Sequence, residues 1–259
     1  LPESQLNGIK RLNVWIHDQS FVLYAMPDQT RKLIEFKGKL PMPPGQYTVR
    51  LECRDIPGVP QEELLFHVTA GLSQNRAQQL NKLQQEIRAA RQRVARLGGD
   101  QRATEILRVV NKLYFSARYR LEAGDISTAT AMASEAVTLA FQSGRPYTTS
   151  ELSNLYSLQA AIALFRGERN QYVKKRQAEI DARLKEIQYR QTQGWDLTPA
   201  YQLTAMSAFR TADMLLMMGA DPSQAKPYVD LGIQYRAQSG QQLQLNQAYP
   251  NVAPVFQLN

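Results

Sequence analysis

The sequence predicts a multidomain β + α protein: a small N-terminal antiparallel β-sandwich followed by an all-α array of helical hairpins. Three observations carry this expectation. Apolar residues alternate with a period of two as far as Gly71, and from there to about Gly240 they fall at helical spacing. The helical stretch also contains an internal echo, Ala-x-x-x-Leu-x-x-Gly, at Ala117, Leu121 and Gly124, at Ala160, Leu164 and Gly167, and at Ala212, Leu216 and Gly219. Echoes tens of residues apart mark stacked supersecondary units. The expected organisation is residues 1–71 as sandwich, 72–240 as helical domain and 241–259 as a tail rich in Gln, Asn and Pro.

With 43% apolar and 21% charged residues over 259 positions, the chain is globular and long enough to bury a sizeable core. The net charge of +8 is uneven, since residues 1–70 hold 8 Lys/Arg against 8 Asp/Glu and the remainder 23 against 15. The surplus belongs to the helices, and it favours anionic partners or simply solubility. A single cysteine, Cys53, excludes an intrachain disulfide and suits a small buried hydrophobe in a strand. No apolar run is long enough to span a bilayer. The start at Leu1 rather than Met is expected to mark a processed or trimmed product.

In the head, Leu12, Val14 and Ile16 alternate with Asn13, Trp15 and His17, and Tyr47, Val49, Leu51 and Cys53 with Thr48, Arg50 and Glu52. Breakers fall between the runs: Pro27-Asp28, then Pro41 to Gly45, then Pro57 to Pro60. A last run, Leu64, Phe66 and Val68, ends at Gly71. His17 and His67, the only histidines, have no nearby Cys or paired carboxylates and make a poor metal site. Trp15, on the face opposite the apolar set, is expected to be covered or to meet a partner. From Pro44 through Gly45 and the Tyr47-x-Val49-x-Leu51 strand to Asp55, the segment resembles the later strands of bacterial immunoglobulin-like or fibronectin type III-like modules. The resemblance covers about 60 residues, where such sandwiches usually need closer to 90, and it implies a spacer or adhesive role.

From Leu80 the apolar positions Leu80, Leu83, Ile87, Ala90, Val94 and Leu97 form a heptad seam, one short enough to pair with the next helix of the same chain. Arg76, Lys82, Arg88, Arg91, Arg93 and Arg96 surround it. Gly98-Gly99-Asp100 should end this helix and cap the next, which runs through Ile106, Val110, Leu113 and Ala117 to Gly124. Asp125 or Ser127 caps a third helix carrying Ala129 and Ala136, which stops at Gly144. Thr148-x-x-Glu151 reads as a capping box, Thr198-Pro199 as a helix start, and Asp221-Pro222 as another. Pro227 should kink the last helix or delay its start. The stretch 168–191 carries seven basic and four acidic residues and reads as a largely solvated helix or as an anion-contacting ridge. The tail after Gly240 reads as a linker or as a strand returning to the head.

Ala117-x-x-x-Leu121-x-x-Gly124-Asp125-x-x-x-Ala129, followed by Ala136, resembles a tetratricopeptide repeat, and the spacing recurs from Ala212 through Gly219, Ala225 and Gly232. Tyr172 in the middle copy and Pro227 in the last depart from it, so the resemblance is to a degenerate array. It implies a concave face lined by the first helix of each hairpin. Its groove positions, carried over by offset from the terminal glycines, are Asn111, Tyr114, Arg118, Asn154, Ser157, Phe209 and Asp213. Arg and Asn beside aromatics suit a peptide with an anionic end.

No phosphate loop, nucleophile elbow, zinc-protease helix or Asp-rich calcium loop occurs, and Glu62 and Glu63 point to opposite faces of a strand. The expected function is therefore a non-enzymatic adaptor without cofactor or metal. It would bind a protein or peptide, in the periplasm or outside the cell, with the cytoplasm as the alternative. The rival reading is a binder of an anionic polymer, nucleic acid or envelope polysaccharide, through Arg88, Arg91, Lys174, Lys175 and Arg176. Oligomeric state is not legible.

Overall fold

The alternating head segments become strands because each offers one apolar face. The computed structural model describes residues 10–16, 19–28, 33–36, 44–53, 62–68, 74–240 and 245–258. Strands β1 (Arg11–Ile16), β2 (Gln19–Asp28), β3 (Leu33–Phe36), β4 (Gly45–Glu52) and β5 (Glu62–Val68) form a small antiparallel sheet of order β3-β2-β1-β4-β5. Val14 lies opposite Phe21 on one side and Leu51 on the other, and Ile16 opposite Val49. Directly opposed residues share a face, so Val14, Phe21 and Val49 are buried together, flanked by Leu12, Ile16, Leu23 and Leu51. Trp15, on the other face, sits opposite Arg50, whose guanidinium lies 5.0 Å from the indole centroid. A second sheet packed across this one, which a closed sandwich requires, is not found among the described residues. His17 and most of the expected breakers lie outside the described residues.

The chain forms two compact units: residues 41–45 with 68–200, and residues 1–40 and 46–67 with 201–259. The first of these holds α1 (Gln74–Val94), α2 (Gly99–Glu122), α3 (Ile126–Gln142), α4 (Glu151–Phe165) and α5 (Arg169–Thr192). Helix α2 packs on α1, as the short seam leads one to expect, and also on α3 and α4; α4 packs in turn on α5. Two hairpins, α2–α3 and α4–α5, thus meet where α4 packs on both α2 and α3. Helix α3 approaches closely because Ala129, Ala133, Ala136 and Ala140, spaced four, three and four apart, bury a stripe with no side chain larger than a methyl. Ile106, Val110 and Leu113 of α2 join Leu152 and Leu155 of α4 in the main cluster, and Ala117 and Leu121 join Leu158 and Ile162 in a second.

The Ala-x-x-x-Leu-x-x-Gly echo has one physical meaning at all three places. The alanine is fully buried, the leucine nearly so, and the glycine, with φ of +81°, +73° and +78° at Gly124, Gly167 and Gly219, turns the chain out of the helix. Gly124 N–H donates to the Leu121 carbonyl and Asp125 N–H to that of Arg120; Gly167 and Glu168, and Gly219 and Ala220, repeat the pair. This is the Schellman termination, in which orphan carbonyls of the last turn are satisfied by a left-handed residue and its successor. Gly194 and Trp195 end α5 in the same way without the echo.

Capping differs from expectation at two places. Asp125 and Asp221 do cap, accepting from Thr128 N–H and Ser223 N–H. At α2, however, the N-cap is Gly98, with no side-chain cap, and Asp100 lies in the first turn, paired with Arg145. At α4 the N-cap is Ser150, so Glu151 stands too early to close a box on Thr148, whose hydroxyl donates to the Arg145 carbonyl instead.

In the other unit, α6 (Thr198–Met217), from residue 201 onward, and α7 (Pro222–Ser239) accompany the sheet. Helix α7 starts at Pro222 and runs on through Pro227. Residues 211–217 are all buried, so this end of α6 is enclosed on every side. Gly232 lies against the Phe209 ring, where a Cβ would stand 2.8 Å from the nearest ring carbon. The tail is neither strand nor linker where it is described: it forms two short helices, α8 (Leu245–Ala248) and α9 (Val252–Phe256), joined through Asn251, which is fully buried. Asn251 donates its backbone N–H (2.8 Å) and its side-chain Nδ2 (3.2 Å) to Asp213 Oδ1. Its Oδ1 accepts from Tyr24 N–H at 3.1 Å. Because Ala25 N–H turns toward β1, the Tyr24 amide points to the β3 side, where pairing with β3 begins only at Ala25. Asn251 satisfies the donor that the short edge strand leaves open.

Candidate functional site

Helix α2 spends its apolar face on the clusters above, and what remains outside is a stripe of Asn111, Phe115, Arg118 and Glu122, spaced four, three and four apart. Phe115 is 39% exposed, an aromatic out of register with Ile106, Val110, Leu113 and Ala117. Beside it α1 contributes Leu83, Lys82 and Glu86, and with Tyr119 these residues line a groove of about 310 Å³ between the two helices. Its lining joins the apolar Leu83, Phe115 and Tyr119 to the charged Lys82 and Glu86. Tyr114 meets Phe115 edge to face at a centroid distance of 5.2 Å, a favourable aromatic pair. Lys112 bonds to Glu86, and this hydrogen bond, opposed by burial and aided by the charges of Lys112 and Lys82, holds the Glu86 carboxyl below the usual carboxylate range. Arg118 Nε lies 3.2 Å from Glu122, an exposed i,i+4 pair of the weak kind.

The carried-over groove residues separate by position. Asn111 and Arg118 are exposed, and Tyr114, packed against both clusters, is half-buried, as are Asn154 and Ser157 on the neighbouring α4. Ser157 is engaged, its hydroxyl accepting from Arg176 Nη1 at 2.9 Å. Phe209 and Asp213 lie in the other unit and are interior: Phe209 is fully buried between Gly232 and Tyr249, and Asp213 holds Asn251. Sequence reasoning missed Phe115, Leu83 and Tyr119, although the misplaced aromatic was visible against the apolar spacing.

The basic residues fall out differently from the ridge expected of them. Arg176 is not on a surface: it is 6% exposed, donates to Glu179 Oε2 at 2.6 Å, to Tyr172 Oη and to Ser157, and begins a buried stripe of Arg176, Glu179, Arg183 and Glu186 along α5. Helix α5 is therefore not the solvated helix its composition suggests. Lys174 is exposed, and Lys175 lies 5.8 Å from the Tyr156 ring centroid. On α1, Arg88 is exposed, Arg91 pairs with Glu135, and Arg93 shares Glu105 with Arg108. Burial works against ionisation of Glu105, but the two guanidinium groups outweigh it and hold its carboxyl below its ordinary value. Two of the basic residues of α1, Arg91 and Arg93, are thus paired with acids within the unit.

Among the described residues no three His, Cys, Asp or Glu side chains gather to hold a metal, and no helix is long and apolar enough to cross a membrane. What the fold defines is a protein with a small antiparallel sheet at its N-terminus and a helical array after it. No family model, curated protein or solved structure matches the chain.

Proposed function

We propose that the chain is a non-enzymatic adaptor whose working surface is the exposed stripe of α2 with the α1–α2 groove, extended by Asn154 on α4, and that it holds a peptide or protein segment there. The observation that carries this reading is Phe115, an exposed ring in a groove where Leu83 and Tyr119 meet the charged Lys82 and Glu86. An apolar anchor within a polar rim is the arrangement found at the centre of protein-binding surfaces. The Schellman-ended hairpins, with α4 packed on both helices of the preceding hairpin, support the finer reading of a degenerate tetratricopeptide-like array. The Tyr47-x-Val49-x-Leu51 strand supports an immunoglobulin-like head and, with it, a place in a bacterial envelope or extracellular assembly. The anionic-polymer reading has less support, because Arg176 is interior and Arg91 and Arg93 are paired with acids.

The test is affinity capture from the source cells with the wild-type chain, Phe115→Asp, Arg118→Glu and, as control, Arg88→Glu. Partners retained by the control and lost about tenfold or more from both groove variants support the surface. Identical capture by all four overturns it, and loss through Arg88→Glu alone transfers the function to the basic face of α1.

A further inference from the structure

The sheet ends at β5, and β5 is unusual for an edge. Among the described residues no strand lies beyond it, yet it is seven residues long and carries Leu64 at 42% and Leu65 at 71% exposure. Edge strands are ordinarily blunted by being short, charged or bent away, because their open N–H and C=O groups template pairing with another chain. Here apolar side chains are exposed on both faces of such an edge.

From this edge we infer that β5 pairs antiparallel with β5 of a second copy of the chain, joining two sheets across a two-fold axis. Symmetry restricts the register. In an antiparallel ladder hydrogen-bonded and non-hydrogen-bonded pairs alternate, so a two-fold that exchanges the strands must pass through a residue facing itself. Of the possible centres, only Leu65 pairs the whole strand from Glu62 to Val68. That register sets Leu65 against Leu65, Leu64 against Phe66, and Glu63 against His67, twice by symmetry. Glu63 and His67 are both exposed and lie on the same face as Leu65, so the carboxylate meets a ring N–H donor and the leucines meet each other. The strand is therefore complementary to its own reverse, which an edge meant for an unrelated peptide does not require.

Sedimentation equilibrium of the full chain over a range of concentrations tests this. The wild type should reach twice its 29.4 kDa mass. Leu65→Lys should dissociate it. His67→Glu, which sets two carboxylates opposite two others, should weaken association by about thirtyfold, and Glu63→Lys combined with His67→Glu should restore it to within about threefold. Far-ultraviolet circular dichroism confirms that each variant is folded. A wild type that stays monomeric at every concentration overturns the inference. So does a dimer indifferent to both single variants, or a charge-swapped double variant no better than His67→Glu alone.

Discussion

Replacing Gly232 by alanine sets two effects against each other, and their magnitudes decide the sign. Gly232 is buried inside α7, where glycine costs about 1 kcal/mol relative to alanine, so propensity alone predicts stabilisation by that amount. The added Cβ would stand 2.8, 2.9 and 2.9 Å from three carbons of the Phe209 ring, where ordinary contact begins at 3.4 Å. The ring is fully buried and lies 5.4 Å from the Tyr249 ring at 31°, so retreat means disturbing a second aromatic that anchors the tail. Overpacking of this kind costs about 1–3 kcal/mol, and with a Cβ this close to backed-up ring carbons the cost falls in the upper part of that range, leaving a net loss of up to about 2 kcal/mol. For a chain of this length the loss is a fall in Tm of about 2–4 °C per kcal/mol. Urea denaturation followed by circular dichroism at 222 nm measures it. The double variant Gly232→Ala with Phe209→Leu should lose about 1 kcal/mol less than the sum of the singles, because the shorter side chain vacates the space. A raised midpoint in the single variant, or strict additivity in the double, would refute the reasoning.

Other outcomes follow from the same geometry. Asp213→Ala removes the acceptor of the Asn251 N–H and Nδ2 groups and should destabilise the sheet-containing unit by about 2–3 kcal/mol, with faster hydrogen exchange at the Tyr24 amide as the specific readout. Glu179→Ala takes from Arg176 and Arg183 a carboxylate that both bond to in the interior, and a loss of about 3 kcal/mol in thermal or urea unfolding is expected. Gly124→Ala forces a side chain into φ +81° with Pro44 Cδ 3.3 Å away and should cost about 1–2 kcal/mol by the same measurement. The Asp125 carboxyl is held below its ordinary value, chiefly by its hydrogen bonding with Thr128. Its stabilising effect is therefore complete above the unfolded carboxylate range and is lost as pH falls through the lower folded value. Comparing Asp125→Asn with wild type between pH 6 and pH 2 should show the difference in stability shrinking only on the acid side, below about pH 4.

The parts of the fold legible in the sequence are those whose signal is local. The alternation of Leu12, Val14 and Ile16 marks a half-buried strand because the pleat has a period of two. The echo at Gly124, Gly167 and Gly219 marks helix ends because only a left-handed residue closes a Schellman turn without strain, and glycine takes that conformation freely. What was not legible depends on distant partners. Arg176, Glu179, Arg183 and Glu186 recur at three, four and three residues, the spacing of a buried seam, but hydropathy scores each charge singly as solvated. Only their alternating sign along one face hinted that they satisfy one another. Asn251 stands in a polar, proline-containing tail and becomes structural through Asp213 and Tyr24, 38 and 227 residues away. At the candidate site the repeat spacing points to Asn111 and Arg118, both exposed on α2. Phe115 was overlooked because that spacing directs attention to the inner positions and not to the aromatic between helices.

The Asn251 hook has a consequence for biosynthesis. The strand that carries Tyr24 leaves the ribosome well before the asparagine that closes its amide, which is made only after the whole of residues 68–200 has emerged. Those intervening helices hold one another through neighbouring contacts and are able to fold while translation continues, whereas the seal on the Tyr24 amide must wait for Asn251. Segments 227 residues apart are thus joined in one unit, and a nascent chain stalled before Asn251 would hold finished hairpins while the Tyr24 amide stayed unsealed.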